Sequence, residues 1–496
     1  MKNEISHISV QKLNKLSKRN EILCFGCGKR LSDMLTLYKD EFFVKKITVL
    51  IDNNRKIWGC KKDINGRKVL IDGIKNIGKL PENAVIIITS DKYREIYSQI
   101  TNEFGKDIRC YAYPQYYYGY VETLFSLIGI MPLKRIIIFR AGLQPHENAD
   151  EIVDYMVNQY EGRKYNLFYL VENANIFLKH VRLLDYNCIK QKSSFFKVLR
   201  YCLIYGRAQY LFYENEMINK IRRDQKLIYL NHGILPIKNV RDVLKQPVEL
   251  DYAVCPSQFC APIYEEQYGI PRNKFIFCTP PRVYTILKKS EKLVDILDVD
   301  KKIIVWLPTF RSLDGTDRVD SSICNLFDLL HTNEERLNEF LNNNHQQLVI
   351  KTHPREKQKI EISDKCENII VLQEKDIQNR TYTLYDVLKM SDALITDYSS
   401  IAFEYMLLNR PIGYLVTDIQ TYFRGFSVDN IEDYMPGERI TSEDELYQFL
   451  NGLNHGRDCY KEKRECLVKN IYGKSEFNQG AKLLIDYLEG IDDRDN

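Results

Sequence analysis

Two histidines stand at the ends of hydrophobic runs that are typical of β-strands. His232 comes just after Leu227 to Leu230 and is followed by Gly233. His353 comes just after Leu348 to Lys351. A histidine at a strand end can act as a general base near neutral pH, or it can donate to a phosphate oxygen and steady its charge. Taken alone, His232 could equally be a structural histidine.

An arginine and a pair of serines follow two further hydrophobic runs. Arg311 comes shortly after Ile303 to Leu307, where its guanidinium could clamp a phosphate with two parallel hydrogen bonds. A surface salt bridge is the alternative. Ser399 and Ser400 follow Ala393 to Thr396 and stand at the predicted start of a helix, where free backbone N–H groups attract anions. Ordinary N-capping is the alternative there.

The serine segment contains three more candidate ligands. Glu404 falls one helical turn after the serines, so we expect its carboxylate to reach a ribose hydroxyl while the serines hold a pyrophosphate. Thr396 and Asp397, at the strand end itself, are predicted to bind the same substrate. Ligands of open α/β sheets bind beyond the carboxyl ends of the strands, so all four segments are expected to face one cleft.

A Gly-rich turn near the N-terminus partly matches a dinucleotide-binding fingerprint. Gly26 and Gly28 follow the predicted strand Ile22 to Phe25, and the next predicted strand ends at Asp52, where such domains place a ribose ligand. Leu31 stands where the third glycine belongs. The sequence therefore favours a degenerate Rossmann-like domain whose glycines permit a tight turn, with cofactor binding by these residues as the weaker alternative. We predict no cofactor.

The thirteen cysteines are scattered without a repeating spacing. Cys24 and Cys27 form a lone CxxC, with no second Cys pair and no His at metal-ligand spacing. Free thiols in a reducing compartment fit this pattern best, and redox or zinc chemistry at the CxxC is the minor alternative. The Asp-rich metal loop of many nucleotide-sugar enzymes is not evident either. We predict no metal site.

Charge and hydropathy narrow the class of partner. A net charge of +4 over 496 residues is far from the basic stripe of a nucleic-acid-binding protein, so no nucleic-acid partner is predicted. The apolar stretch Leu124 to Met131 is much shorter than the ~20 residues of a membrane-spanning helix, and Met1 to Lys12 lacks a signal-peptide core. We therefore expect a cytoplasmic protein, or one that rests on a membrane. The basic stretch Lys179 to Lys197 could meet anionic headgroups or form a solvated face.

The elements that position these residues alternate between strands and helices. This rhythm predicts an α/β protein with a Rossmann-like domain over residues 1–120 and two doubly wound lobes over 134–285 and 286–490. The Tyr-rich patch Tyr111 to Tyr120 is a plausible domain junction, suited to packing between domains or to stacking on an acceptor. The predicted strands are Ile22–Phe25, Ile47–Ile51, Ala84–Thr89, Arg135–Arg140, Leu167–Val171, Tyr210–Tyr213, Leu227–Asn231, Tyr252–Cys255, Phe275–Cys278, Ile303–Leu307, Leu348–Lys351, Ile369–Leu372, Ala393–Thr396 and Ile412–Val416.

The segment Ser391 to Glu404, with Leu408 to Pro411 after it, resembles the signature of the CDP-glycerol glycerophosphotransferase family of teichoic-acid synthesis. The other three motifs occur in that family's order, and the resemblance extends from about Leu227 to the C-terminus. Three later stretches also resemble the family's C-terminal pattern: Asp433 to Gly437, Thr441 to Leu446, and Tyr472 to Ser475.

The resemblance implies a GT-B-like pair of lobes, with the acceptor at 134–285 and the CDP-activated donor at 286–490. It implies transfer of glycerol phosphate from CDP-glycerol to a lipid-linked teichoic-acid-like or capsular polymer, with release of CMP at the membrane's inner face. His232 would deprotonate the acceptor hydroxyl, while Arg311 and His353 would stabilise the donor phosphates. The serine pair would cradle the pyrophosphate, and Glu404 would bind the ribose.

The sequence departs from the family pattern after Gly233. Ile234 and Leu235 precede Pro236 to Lys238 where the family usually has one small polar residue, and Lys238 is the candidate phosphate ligand of this stretch. CDP-ribitol is an alternative donor. Two other functions remain open: a GT-B glycosyltransferase using a CMP- or other nucleotide-activated sugar, and a non-catalytic scaffold of the same pathway. The presence of both cleft histidines speaks against the scaffold.

Overall fold

The structure is a computed structural model of the 496-residue chain. The residues that it describes are 5–78, 80–90, 92–140, 147–161, 164–172, 181–241, 244, 246–247, 249–289, 294, 296–309, 327, 332–352, 360, 362–373, 382–473 and 476–495.

The secondary structure alternates strands and helices along most of this length. The strands are β1 Glu21–Phe25, β2 Ile47–Ile51, β3 Lys61–Ile64, β4 Arg67–Asp72, β5 Ala84–Ile88, β6 Arg109–Ala112, β7 Lys134–Arg140, β8 Asn166–Val171, β9 Arg182–Asp185, β10 Ala208–Tyr213, β11 Lys226–Tyr229, β12 Tyr252–Cys255, β13 Phe275–Phe277, β14 Lys302–Leu307, β15 Gln346–Ile350, β16 Ile369–Val371, β17 Ala393–Thr396, β18 Ile412–Leu415 and β19 Glu438–Ile440.

The α-helices are α1 Val10–Ser17, α2 Lys29–Leu37, α3 Phe42–Lys45, α4 Tyr93–Phe104, α5 Tyr120–Ile128, α6 Asn148–Asn158, α7 Asn187–Lys190, α8 Phe195–Tyr205, α9 Ala261–Tyr268, α10 Tyr284–Leu287, α11 Glu334–Asn343, α12 Leu384–Met390, α13 Ile401–Tyr405, α14 Glu443–Asn454, α15 Lys461–Tyr472 and α16 Gly480–Asp495. Short 3₁₀ helices lie at Arg55–Ile57, Ile74–Asn76, Arg272–Lys274, Pro281–Val283, Met406–Leu408, Ile431–Tyr434 and Phe477–Gln479. No helix in the described ranges is long and apolar enough to cross a membrane.

The N-terminal sheet has the strand order β3-β4-β2-β1-β5-β6, and only the β3–β4 pair is antiparallel. Strand β1 is buried on both faces because alternate side chains enter different cores. Ile22 and Cys24 pack in one hydrophobic cluster, whereas Leu23 and Phe25 pack in the other. Helices on both faces of a parallel sheet are typical of a Rossmann-like domain.

The C-terminal sheet has the order β16-β15-β14-β17-β18-β19 and is parallel throughout. Leu307, the last residue of β14, pairs with Thr396, the last residue of β17. The loops that leave these two strands therefore start side by side at the carboxyl edge of the sheet.

A seven-stranded sheet has the order β13-β12-β11-β10-β7-β8-β9. Within it, β10, β11, β12 and β13 run parallel, with Tyr213 opposite Tyr229. Because parallel strands bring their carboxyl ends to one edge, Glu214 after β10 and the Asn231–His232 turn after β11 lie at the same edge. This edge supplies one side of the candidate site.

The predicted fold class is confirmed: two doubly wound lobes are preceded by a Rossmann-like domain. Every predicted strand overlaps an observed strand. Four of the strands that the sequence did not predict, β3, β6, β9 and β19, lie at sheet edges, where half-exposed strands need no continuous hydrophobic run. The fifth is β4, which pairs with β3.

Two compact units make up the structure: Met1–Ile138 with Phe168–Gln209, and Phe139–Leu167 with Tyr210–Asn496. The domain limits 1–120, 134–285 and 286–490 stay predictions. The Tyr-rich patch packs inside the first unit, where Tyr118 stacks on Tyr120 and donates its hydroxyl to the Ser193 carbonyl at 3.2 Å.

Candidate active site

His232 stands on a tight turn that Asn231 closes. Asn231 has a positive φ of 66°, a conformation that Asn tolerates better than most residues. Its side-chain Oδ1 accepts from the backbone N–H of His232 at 2.7 Å and of Gly233 at 3.3 Å. The hydroxyls of Tyr229 and Tyr268 donate to the same oxygen, each at 3.2 Å. The buried amide thus fixes the direction in which the histidine leaves the strand.

Two buried residues from other elements hold the same turn. Asn148, at the start of α6, donates to the Asn231 carbonyl at 3.0 Å and accepts from the Arg282 backbone N–H at 3.1 Å. Arg282, in the 3₁₀ helix after β13, donates from Nη1 to the His232 carbonyl at 2.6 Å. The turn that carries His232 is therefore held by contacts from two other elements.

Arg282 also forms a buried ion pair with Glu404 of α13, whose side chain is 0% exposed. Burial alone would lower the pKa of Arg282, but the Glu404 carboxylate outweighs it and holds the pKa above the ordinary value. The second carboxylate oxygen of Glu404 accepts from the Tyr385 hydroxyl at 2.5 Å. Each of the two oxygens therefore accepts from one protein group.

The imidazole of His232 is open on one side, with 52% of its side-chain surface exposed. Burial of the rest, together with the charges of Arg282 and Lys238, lowers the pKa of His232 to about 4, while Glu147 acts in the opposite direction. At neutral pH the imidazole is uncharged, the state that a general base requires.

The serine pair comes directly against the histidine turn. A Cβ placed on Gly233 would lie 2.8 Å from Ser400 Oγ and 3.1 Å from Ser400 Cβ. Ser399 and Ser400 are half-buried, and the Ser400 side chain caps none of the described backbone N–H groups of α13. Two segments far apart in sequence are therefore in contact at the predicted cleft.

Thr396 and Asp397 tie neighbouring strand ends together. The Thr396 hydroxyl donates to the Leu307 carbonyl at 2.7 Å. The Asp397 carboxylate accepts from the Thr309 backbone N–H at 3.1 and 3.0 Å and from the Thr309 hydroxyl. Both predicted ligands are fully buried, so the structure places them beneath the cleft surface. Arg311 and His353, the other two predicted ligands of this lobe, lie outside the described residues.

Lys238 lies in a segment that pairs with a later loop. It forms an isolated antiparallel bridge with Phe426, and the Ile237 carbonyl next to it accepts from the Ser427 backbone N–H at 2.9 Å. The ammonium of Lys238 is one of the charges that lower the pKa of His232, so it acts on the imidazole. A cation here is placed to meet an anionic group beside the histidine.

The N-terminal Gly-rich turn is in contact with groups of neighbouring segments, namely the Thr89 carbonyl and the Asp52 carboxylate. Gly26 has φ of 107°, and a Cβ there would lie 2.9 Å from the Thr89 carbonyl oxygen, so both conformation and space require glycine. Gly28 begins α2 with open space around it. The Asp52 carboxylate accepts from the backbone N–H of Cys27 at 2.6 Å and of Asn54 at 2.8 Å. One Asp52 oxygen thus binds the Gly-rich turn, and the other binds the loop that follows β2.

The CxxC cysteines are free thiols. Burial, reinforced by the Asp52 carboxylate, raises the pKa of Cys27 to about 12, and burial also raises the pKa of Cys24. Thiols in this state are poor nucleophiles and poor metal ligands. Across the described part of the chain, no group of three or more His, Cys, Asp or Glu side chains is arranged to hold a metal ion.

The sequence did not single out several residues of this site. Arg282 follows a strand end after two prolines, the same signal that drew attention to Arg311. Tyr385 in α12 carries no such signal. The other residues that sequence reasoning missed are Glu147, Asn148 and Glu214.

The family model described as CDP-Glycerol:Poly(glycerophosphate) glycerophosphotransferase matches residues 125–481. The chain belongs to this family. The resemblance in the sequence motifs is thereby confirmed, and so is the prediction of a transferase. The matched range contains the complete His232 turn, the Arg282–Glu404 pair and the serine segment.

Individual relatives in teichoic-acid synthesis match about three quarters of the chain. The teichoic acid glycerol-phosphate primase of Bacillus subtilis (strain 168) is 25% identical over 404 residues, which are 75% of this chain and 99% of the relative. The teichoic acid ribitol-phosphate polymerase TarL of Staphylococcus aureus (strain NCTC 8325 / PS 47) is 24% identical over 433 residues, 78% of this chain and 72% of TarL.

A solved structure of a variant of the wall teichoic acid polymerase TagF has a TM-score of 0.58 and 20% identity, covering 76% of this chain and 95% of that one. This likeness supports the GT-B-like fold of the two lobes.

Proposed function

We propose that this glycerophosphotransferase moves glycerol phosphate from CDP-glycerol to a hydroxyl of a teichoic-acid-like or capsular polymer and releases CMP. The observation that carries the proposal is the contact between Gly233 and Ser400. It joins the turn of the proposed base to the serines proposed to bind the donor. The neutral, half-exposed imidazole of His232 supports the base role.

In this mechanism His232 takes the proton of the acceptor hydroxyl. The freed oxygen bonds to the phosphorus that carries glycerol, and the bond from that phosphorus to the CMP oxygen breaks. Catalysis of phosphoryl transfer rests mainly on positioning and charge stabilisation. We assign the phosphate contacts to Ser399, Ser400 and Lys238, and to Arg311 and His353, which lie outside the described residues.

The proposal also covers the alcohol that the donor carries and which lobe binds the donor and which the acceptor. The name of TarL makes CDP-ribitol the second candidate donor. We assign the acceptor to residues 134–285 and the donor to residues 286–490. Thr396 and Asp397 fix the strand ends on which the donor rests, because their polar atoms bond to protein. Glu404 stays the proposed ribose ligand.

A donor panel tests the proposal. The purified protein is offered CDP-glycerol, CDP-ribitol, a CMP-sugar and a UDP-sugar with a teichoic-acid acceptor, and CMP or UDP release is measured. We expect CMP from CDP-glycerol, with a loss of at least about 100-fold in His232→Gln. The control is His455→Gln, just after α14, whose exposed ring contacts the Asn451 carbonyl at 3.0 Å. If only a nucleotide sugar were turned over, CDP-glycerol would not be the donor, and the protein would be a glycosyltransferase.

We further propose that the acceptor is lipid-linked and that the enzyme meets the membrane surface with α5 and α8. Leu127 and Ile130 are 59% and 83% exposed, and Phe195 and Phe196 are 50% and 80% exposed. Apolar side chains beside lysines such as Lys197 suit an interface with anionic headgroups.

Co-sedimentation with phosphatidylglycerol and phosphatidylcholine vesicles measures this surface. We expect Phe196→Ser to weaken binding to the anionic vesicles. The control is Val299→Ser, which changes an apolar side chain that is 70% exposed elsewhere. Equal binding by the two variants would remove α8 from the membrane proposal.

A further inference from the structure

A carboxylate stands behind the proposed base. Glu147 Oε1 lies 4.0 Å from His232 Nδ1, and the Glu147 side chain is only 8% exposed. This separation is at the outer limit of an ion pair between the carboxylate and a protonated imidazole. Glu147 precedes α6, yet its side chain caps none of the described N–H groups of that helix. Helix capping therefore does not explain why a carboxylate is buried here.

A second carboxyl group, that of Glu214, lies next to Glu147 and competes with it for the negative charge. Glu214, after β10, is fully buried, and its Oε1 accepts from the Ala149 backbone N–H at 2.8 Å. Burial, and then the adjacent Glu147, raise the pKa of Glu214 well above its ordinary value. Two neighbouring buried carboxyls cannot both ionise at modest cost, so Glu214 carries the proton and Glu147 the charge.

We propose that Glu147 is a positioning residue for His232: it receives the Nδ1–H and directs Nε2 to the acceptor hydroxyl. This inference rests on the proposed function only in making His232 the base. In the reaction the hydroxyl proton passes to Nε2 as the new O–P bond forms, and CMP leaves with the electrons of the broken P–O bond. The Glu147 carboxylate then faces the imidazolium. A carboxylate plays this part behind the histidine of serine proteases.

The charges around the ring agree with this arrangement. Arg282 from the 3₁₀ helix after β13 and Lys238 from the loop after β11 both disfavour the imidazolium, and Glu147 is the group that favours it. Without Glu147, burial and the two cations would all disfavour the protonated base. The pair thus offsets the cost of charging His232 during turnover.

The first test needs no turnover. In the wild-type protein with ¹⁵N-labelled histidine, the chemical shifts of the two ring nitrogens give the tautomer of neutral His232, assigned with His232→Gln. We expect hydrogen on Nδ1 and a bare Nε2. The Nε2–H tautomer would overturn the proposal. This result stands whether or not CDP-glycerol proves to be the donor, so it separates the two hypotheses.

Two isosteric changes provide the second test. Glu147→Gln removes the charge, so the His232 pKa should fall further and kcat should drop about 10- to 100-fold with little change in the KM for CDP-glycerol. Glu266→Gln, at an exposed carboxylate that pairs with Arg241, is the matched control and should lower kcat less than about threefold with the His232 pKa nearly unchanged. Equal losses in the two variants, or a His232 pKa insensitive to Glu147→Gln, would contradict the positioning role.

Discussion

Gly233 and Ser400 are in direct contact, and an added Cβ on Gly233 would come within 2.8 Å of Ser400 Oγ. The contact joins the turn after β11 to the segment after β17, which are the carboxyl ends of strands in two different sheets. The turn of the proposed base and the segment of the proposed phosphate ligands meet at this contact, where Gly233 has no room for a Cβ.

Gly233→Ala should therefore destabilise the protein and reduce transfer. Overpacking typically costs about 1–3 kcal/mol, and Ser400→Gly in the Gly233→Ala background should restore part of it. The control is Gly452→Ala inside α14, where the new Cβ meets only the Arg457 side chain at 3.5 Å. Urea unfolding measures both. Equal urea midpoints of unfolding for the two single variants would show that a Cβ at position 233 fits beside Ser400 without cost.

The Arg282–Glu404 pair predicts a large stability effect from a conservative change. Glu404→Gln leaves a buried guanidinium without its counter-ion, and breaking a buried pair costs about 3–5 kcal/mol. Tyr385→Phe removes only one hydrogen bond to Glu404 and should cost about 1 kcal/mol. Denaturant unfolding compares the variants. If Glu404→Gln instead raised the KM for CDP-glycerol at unchanged stability, the ribose role predicted from the sequence would be favoured.

The depressed pKa of His232 predicts the pH dependence of stability. Its folded-state pKa of about 4 lies below the ordinary value of 6.5, so between these pH values the unfolded state binds more protons. Stability is thus present above pH 6.5 and is lost as pH falls toward 4. We expect the free energy of unfolding to decrease less from pH 7 to pH 5 in His232→Gln than in wild type. Parallel curves for the two proteins would mean that the pKa of His232 is not depressed.

The raised thiol pKa values predict a pattern of cysteine labelling. Cys27 and Cys24 should resist iodoacetamide in the native protein at pH 8, because burial keeps them as thiols. The exposed Cys60, Cys459 and Cys466 should react first. Peptide mass spectrometry reads out the modified positions. Early labelling of Cys27 would reopen the redox interpretation of the CxxC.

The sequence predicted the strands and the polar residues at their ends, because buried parallel strands are continuous hydrophobic runs and ligands bind at their carboxyl edge. It did not predict which of those polar side chains point into protein. Glu404 was predicted to bind a ribose, and its contacts with Arg282, 122 residues away, and with Tyr385 carried no signal in the sequence. The hydrogen bond from the Cys27 backbone N–H to Asp52 likewise joins two separate segments. Such pairings depend on contacts between distant segments, which local patterns do not encode.

The central claim is that His232 is the base of glycerol phosphate transfer, and a coupled product assay tests it most directly. Radiolabelled glycerol from CDP-glycerol is followed into a polymer acceptor while CMP is counted in the same reaction, for wild type and for folded His232→Gln. We predict one CMP per glycerol transferred by wild type and a loss of at least about 100-fold in both products in the variant. Undiminished transfer by the folded variant would contradict the account.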